Sequence, residues 1–137
     1  MLRRGTGPRR FGSSRMTERR PVVLVVEDEP LILIHSHLAL EDAGYLPIAV
    51  ASAGAALDAL RERGDVEIMF TDVRLPGGMD GLALARRVRQ AYPHVAIVVT
   101  SGSQRVEPEM LPRGAAFVAK PYTAAQITRM LERAIAA

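Results

Sequence analysis

A single lysine, Lys120, stands among eighteen Lys and Arg residues. Arginine is a planar fork that stays charged, whereas lysine is a compact point charge on a flexible stem. A site that must reach one small anion from one side favours the lysine. Lys120 follows a short apolar run, Phe117-Val118-Ala119. Two other apolar runs end in carboxylates: VVLVVEDE delivers Glu27, Asp28 and Glu29, and EIMFTD delivers Asp72. A fourth, VAIVVTS, ends in Thr100 and Ser101. If these runs are parallel neighbours, acids, hydroxyl and lysine meet at one sheet edge. The acids Glu27, Asp28 and Asp72 would repel one another there, at roughly 4 kcal/mol per pair for a separation of about 4 Å and an effective dielectric near 20. Hard oxygen donors without His or Cys nearby select magnesium, which takes one or two carboxylates plus phosphate and keeps several waters. Mg²⁺ and Lys120 together balance the three carboxylates. Such a set suits phosphoryl transfer by positioning and charge neutralisation. Asp72 would be the carboxylate nucleophile. The metal and Lys120 would hold the phosphoryl oxygens, and Thr100 would donate a hydrogen bond to the product. Acids alone, or the lysine alone, would read as solvated surface charge; the converging set carries the reading.

The elements that must position these groups follow from the alternation of the chain. Val22–Val26 is an unbroken β-branched-rich run, the mark of a strand buried on both faces. Pro30 suits a first helical turn, and the helix should run to about Ala43 with Gly44 as its stop. Residues 46–51 form a second strand. Ser52 caps the next helix, with Ala53, Ala56, Leu57 and Leu60 at helical spacing until Gly64. Residues 67–71 are a third strand. Asp80 caps a helix with Leu84, Val88 and Ala91 on one face, stopped at Pro93. Residues 95–99 are a fourth strand, and residues 104–112 should hold a short helix interrupted by Pro108 and Pro112. Ala116–Ala119 is a fifth strand. Thr123-Ala-Ala-Gln126 is a capping box that opens a last helix, with Ile127, Met130, Leu131 and Ala134 inward. Five β–α units of this kind predict an α/β, doubly wound, five-stranded parallel sheet with helices on both faces. In such sheets ligands sit beyond the carboxyl ends of the strands, where the acids, Thr100 and Lys120 all fall.

The chain has 137 residues, enough for one domain with a real core, and aromatics make up only 4%, so that core is aliphatic. There is no cysteine, which excludes a disulfide framework and a thiolate zinc site. No apolar run approaches the length of a bilayer span. Residues 1–20 hold seven arginines and one acid, whereas the rest carries eleven basic and fourteen acidic groups. That division predicts a basic disordered tail over 1–20 and a mildly acidic folded domain over 21–137. Met16 is a second candidate initiator. A silent tail is the default, and a basic arm for nucleic acid or acidic lipid is the alternative. Arg9-Arg10 before Phe11 hints at a twin-arginine export signal, but Gly12, Ser13, Ser14 and Arg15 follow where an apolar segment is required.

The pieces VVEDEP, TDVRLPGGMDG, VVTSG and FVAKPY, in this order and spacing, resemble a response-regulator receiver domain over residues 21–137. The resemblance implies the flavodoxin-like receiver fold. It makes Asp72 the phosphoacceptor, and Glu27 and Asp28 the acidic pair that positions Mg²⁺. The backbone carbonyl of Arg74 becomes the third protein ligand. Thr100 and Lys120 match the hydroxyl and lysine that sense the phosphoryl group, and Phe117 matches the switching aromatic. It implies a phosphorylation-dependent switch of a two-component system or phosphorelay. The protein would be no enzyme beyond promoting its own phosphorylation and dephosphorylation. Its partners would be a sensor histidine kinase or phosphotransfer protein and an unknown downstream protein, in the cytoplasm. With sixteen residues after Pro121, the sequence predicts a stand-alone receiver. Gly77-Gly78 lengthen one loop relative to the family, Tyr122 replaces a usual phenylalanine, and Phe117 lacks the common tyrosine hydroxyl. The segment from Thr100 to Lys120 is short. A cis Lys120-Pro121 bond is also implied.

Two other readings compete. A Mg²⁺-dependent aspartyl-phosphate phosphohydrolase would carry an acid two residues past the nucleophile, where Arg74 stands. Nucleic-acid binding would rest on the basic N-terminal arm alone. His35 and His37, two apart on a helix, face different directions and read as surface histidines. Met69, Met110 and Met130 read as core filler. Glu29 reads as a helix-start charge and Ser101 and Ser103 as loop caps.

Overall fold

The computed structural model describes residues 19–136. Five parallel strands form one sheet in the order β2-β1-β3-β4-β5. They are β1 (Val22–Val26), β2 (Leu46–Val50), β3 (Val66–Asp72), β4 (Ala96–Ser101) and β5 (Ala116–Ala119). Four helices connect and follow them: α1 (Pro30–Asp42), α2 (Ala53–Glu62), α3 (Gly81–Ala91) and α4 (Ala124–Ala136). All five residues of β1 are buried, as a strand covered on both faces requires. Alternate residues of the inner strands serve the two faces. Val23, Val25, Ile68, Phe70 and Val98 pack with Leu40 of α1 and with Ile127 and Leu131 of α4. Leu24, Val26, Met69, Ile97 and Val99 pack with α2 and α3.

The expected caps set the helix starts. The Ser52 hydroxyl accepts from Ala55 N at 3.1 Å and the Asp80 carboxylate from Ala83 N at 2.8 Å. Thr123 and Gln126 close a reciprocal box at 2.8 and 3.1 Å. Each cap satisfies a backbone donor that the first helical turn leaves open. Gly44 ends α1 at a φ of 95°, a conformation that glycine adopts without penalty.

Three expectations need correction. The helix foreseen over residues 104–112 is a single 3-10 turn, Pro108–Met110. The residue before a proline is pushed out of the helical region. Glu107 and Leu111, which precede Pro108 and Pro112, are indeed extended, with ψ of 152° and 146°. The chain has four α-helices among the described residues, and Val106, Met110 and Leu111 cover the sheet where a fifth was expected. Ala91 is exposed, and Leu82 and Ala85 complete the buried face of α3 with Leu84 and Val88. Met130 is half-buried at the edge of α4, whose inward positions are Ile127 and Leu131, with Ala134 packed against the same core.

The disordered-tail reading of residues 1–18 lies outside the described residues. Arg19 pairs with Glu67, and Arg20 donates to the Tyr45 carbonyl at 2.8 Å. No helix among the described residues is long and apolar enough to cross a membrane.

Candidate functional site

The strand order brings the chemistry together. β1 and β3 are neighbours, so Glu27, which follows β1, and Asp72, which ends β3, share one edge. β3 pairs with β4 so that Asp72 lies opposite Thr100, and β4 pairs with β5 so that Ser101 lies opposite Ala119, one residue before Lys120. Carboxylate oxygens of Glu27, Asp28 and Asp72 lie within 4.8 Å of one another. Glu27 and Asp72 are buried, and Asp28 stands at the exposed mouth. Lys120 Nζ donates to Glu27 Oε1 and to Asp72 Oδ2, each at 2.9 Å. The lysine thus shares a single positive charge between the two buried acids and makes no bond to Asp28.

Burial pushes the Glu27 carboxyl above its ordinary pKa, against the hydrogen bond from Lys120, and the nearby Asp72 charge pushes the same way. Burial pulls the Lys120 ammonium down. Its hydrogen bonds to Asp72 and Glu27, with their charges, outweigh that loss and leave its pKa raised. The lysine is therefore a fixed cation. Two acids, one of them reluctant to ionise, remain undercompensated beside a third at the mouth. That donor set, all carboxylate oxygen and open on the Asp28 side, fits a hard divalent cation such as Mg²⁺.

Thr100 is buried, and among the described residues its Oγ1 is the one buried side-chain polar atom with no hydrogen-bond partner. A buried unsatisfied hydroxyl costs about 1–3 kcal/mol, so it marks a place where a missing partner belongs. Arg74 N approaches Asp72 Oδ1 at 3.4 Å, and the Arg74 guanidinium reaches across to Ser103 Oγ at 3.1 Å. Phe117 is half-buried and pairs in register with Val99, one residue short of Thr100. Alternation places Phe117 with Val99 on the α2–α3 side, so Phe117 and Thr100 are diagonal neighbours on opposite faces.

Of the remaining candidates, Glu29 caps α1 by accepting from Leu31 N at 3.1 Å. The Ser101 hydroxyl bonds both N and O of Gln104. His35 is exposed, and His37 lies 3.6 Å from Glu41. Lys120-Pro121 is cis. Sequence reasoning missed Gly81: a Cβ built there would lie 1.8 Å from the Asp72 carbonyl oxygen. It also missed the pairing of Ser36 Oγ with Tyr122 Oη, 3.2 Å apart. Burial raises the Tyr122 pKa. The sequence signal for the pairing was a hydroxyl at a phenylalanine position and a serine inside an apolar helix. Among the described residues, an apolar groove of about 490 Å³ opens beside the site, lined by Leu31, Ile32, His35, Lys120, Pro121 and Tyr122 among others.

A five-stranded parallel sheet in this order, with an acid cluster facing a lysine across its carboxyl edge, defines a receiver fold. The response regulator receiver domain family matches residues 23–132, and the chain belongs to that family, a component of two-component systems. The nitrogen assimilation regulatory protein NtrX of Azorhizobium caulinodans is 33% identical over 117 residues, covering 82% of this chain and 26% of that protein. The DNA-binding transcriptional regulator NtrC of Escherichia coli is 28% identical over 120 residues, 85% of this chain and 25% of that protein. The chain thus spans about a quarter of the length of these relatives. A solved receiver protein from Sinorhizobium medicae superposes with a TM-score of 0.80 at 28% identity, covering 86% of this chain and 96% of that one. A receiver domain protein from Clostridium thermocellum gives 0.78 at 25%, covering 85% and 94%.

Proposed function

We propose that Asp72 accepts a phosphoryl group from the phosphohistidine of a sensor kinase or phosphotransfer protein, and that the resulting change of surface signals by protein contact in the cytoplasm. The P–N bond of the donor breaks, and a bond forms between phosphorus and an Asp72 carboxylate oxygen. The observation that carries the reading is the Asp72 carboxylate, held at 2.9 Å by Lys120 at the carboxyl end of β3 opposite the unpartnered Thr100 hydroxyl. Lys120 holds a phosphoryl oxygen once the transfer relieves Asp72 of its charge. Thr100 supplies the hydrogen bond that its hydroxyl lacks in the unmodified site. Glu27, Asp28, Asp72 and the Arg74 carbonyl are the residues that would hold Mg²⁺, which supplies charge neutralisation when bound. Phe117, diagonal to Thr100, is the group whose packing changes when Thr100 moves. The protein acts as a switch that promotes its own phosphorylation and dephosphorylation, with activation as a population shift between two packings. The test is incubation with a small phosphodonor and magnesium, read by mass. The wild type gains one phosphoryl group and Asp72→Asn gains none. A gain that persisted in that variant and mapped to Ser101 or His35 would sink the assignment.

A further inference from the structure

The groove beside Lys120 differs in chemistry from the carboxylate site it adjoins. Its volume of about 490 Å³ is that of a small-molecule pocket. Leu31, Ile32, Pro121 and Tyr122 give it apolar walls, and no acid is among its lining residues. The Tyr122 hydroxyl is engaged by Ser36 Oγ at 3.2 Å, so it is not left to the groove. Leu31 is 76% exposed, the most exposed large hydrophobic side chain among the described residues. Apolar area left in water is area that a ligand can cover to advantage. The groove and the carboxylate site share Lys120. Gly102, which also lines the groove, abuts the lysine stem: a Cβ built there would lie 3.4 Å from Lys120 Cδ and 3.5 Å from Lys120 Cβ. The ammonium at the far end of that stem is 2.9 Å from Asp72 Oδ2. The apolar space therefore begins one lysine side chain away from the Asp72 carboxylate. A molecule that fills both places has a compact anionic head at Lys120 and an apolar body against Leu31 and Ile32.

We propose that this groove receives the apolar chain of a small acyl phosphate, so that the length of that chain sets how fast such a donor phosphorylates Asp72. The inference rests on Asp72 as the phosphoacceptor. In the step, an Asp72 carboxylate oxygen bonds to phosphorus and the bond between phosphorus and the acyl oxygen breaks. The electron pair of the broken bond leaves with the acyl group as a free carboxylate, and no proton has to move. Lys120 holds a phosphoryl oxygen at one end of the donor, and Leu31, Ile32 and Pro121 cover its chain at the other. Only contacts kept in the transition state raise the rate, and the chain, which takes no part in bond making, keeps its contacts throughout. A fully buried methylene is worth about fourfold, and a half-covered one about twofold. The groove is open to solvent along Leu31, so about twofold per methylene is expected.

The test is the second-order rate at which acetyl, butyryl and hexanoyl phosphate, with magnesium, phosphorylate the full-length protein, read by mass. The three donors deliver the same group and release carboxylates of nearly equal basicity, so only the chain differs. Hexanoyl phosphate should exceed acetyl phosphate at least about tenfold, for four added methylenes. Leu31→Ser should bring that ratio below about threefold. Leu38 is a second exposed leucine of α1 and lies in a separate groove, so Leu38→Ser should keep the full ratio. A ratio near one in the wild type, with the phosphoryl gain still lost in Asp72→Asn, overturns the groove as the seat of the chain and leaves Asp72 as the acceptor. A ratio that falls equally in both serine variants, or in neither, places the chain elsewhere and overturns the proposal as well. A gain that survives in Asp72→Asn, or no gain with any donor, overturns the acceptor and this proposal with it.

Discussion

Gly81→Ala isolates the closest backbone contact around the site. Gly81 opens α3 immediately behind Asp72, and its N–H donates to the Val73 carbonyl at 2.7 Å. A methyl group there would lie 1.8 Å from the Asp72 carbonyl oxygen and 2.7 Å from its carbon. Carbon and oxygen rest at about 3.3 Å or more, so the two must part by roughly 1.5 Å. Neither side gives easily. The Asp72 carbonyl also accepts from the Thr71 hydroxyl at 2.9 Å, and the first turn of α3 is pinned by the Asp80 cap. Overpacking of this kind costs about 1–3 kcal/mol, and more where backbone must move. Displacing a reacting group by about 1 Å costs on the order of a hundredfold in rate. Gly78 provides the control in the same loop, since a Cβ there meets nothing within 4 Å. Urea unfolding should place the Gly81→Ala midpoint well below wild type, while Gly78→Ala stays within about 0.5 kcal/mol. Phosphorylation by a small donor should slow at least tenfold in the Gly81 variant alone. Equal stability and equal rate in the two variants would refute the close approach of α3 to Asp72.

Asp28→Ala should weaken Mg²⁺ binding, measured by calorimetry, while Lys120→Ala spares or strengthens it and slows phosphorylation, because the Lys120 charge competes with the cation for Glu27 and Asp72; equal affinity in wild type and Asp28→Ala would contradict the assignment. Thr100→Val should stabilise the unmodified protein by about 1 kcal/mol, because it replaces a buried hydroxyl without a partner by a methyl group. The same variant should lose the spread of chemical-shift changes over residues 100–112 and 116–119 that a phosphoryl mimic with magnesium induces in wild type. Ser36→Ala and Tyr122→Phe should each destabilise by about 1 kcal/mol, and the double variant should cost less than their sum, since either single change orphans the other hydroxyl. Full additivity in the denaturation cycle would mean that the two hydroxyls do not bond.

The sequence by itself determined the strands and the ends from which chemistry emerges. β1 is five valine or leucine residues in a row, all buried, as a strand covered on both faces requires. Ser52, Asp80 and Thr123 fixed helix starts by local hydrogen bonding, which needs no distant partner. Glu27, Asp72, Thr100 and Lys120 were legible as a set because each follows an apolar run, and parallel strands carry such ends to one edge. The short fourth crossover was visible only in part. Its two prolines were read as interruptions, whereas their effect on Glu107 and Leu111 removed the α-helix altogether. What only the tertiary structure decided depends on contacts distant in sequence. Lys120 is shared between Glu27 and Asp72, 93 and 48 residues away, and leaves Asp28 at the mouth. Phe117 falls one register step from Thr100, a matter of how β4 and β5 align. Gly81 is required by the approach of α3 to the end of β3, and Ser36 meets Tyr122 only because α1 packs beside the turn that carries Lys120. Local pattern specifies which residues stand at strand ends; packing specifies which of them touch, because side-chain distances of a few ångströms are set by the register and layering of the whole sheet.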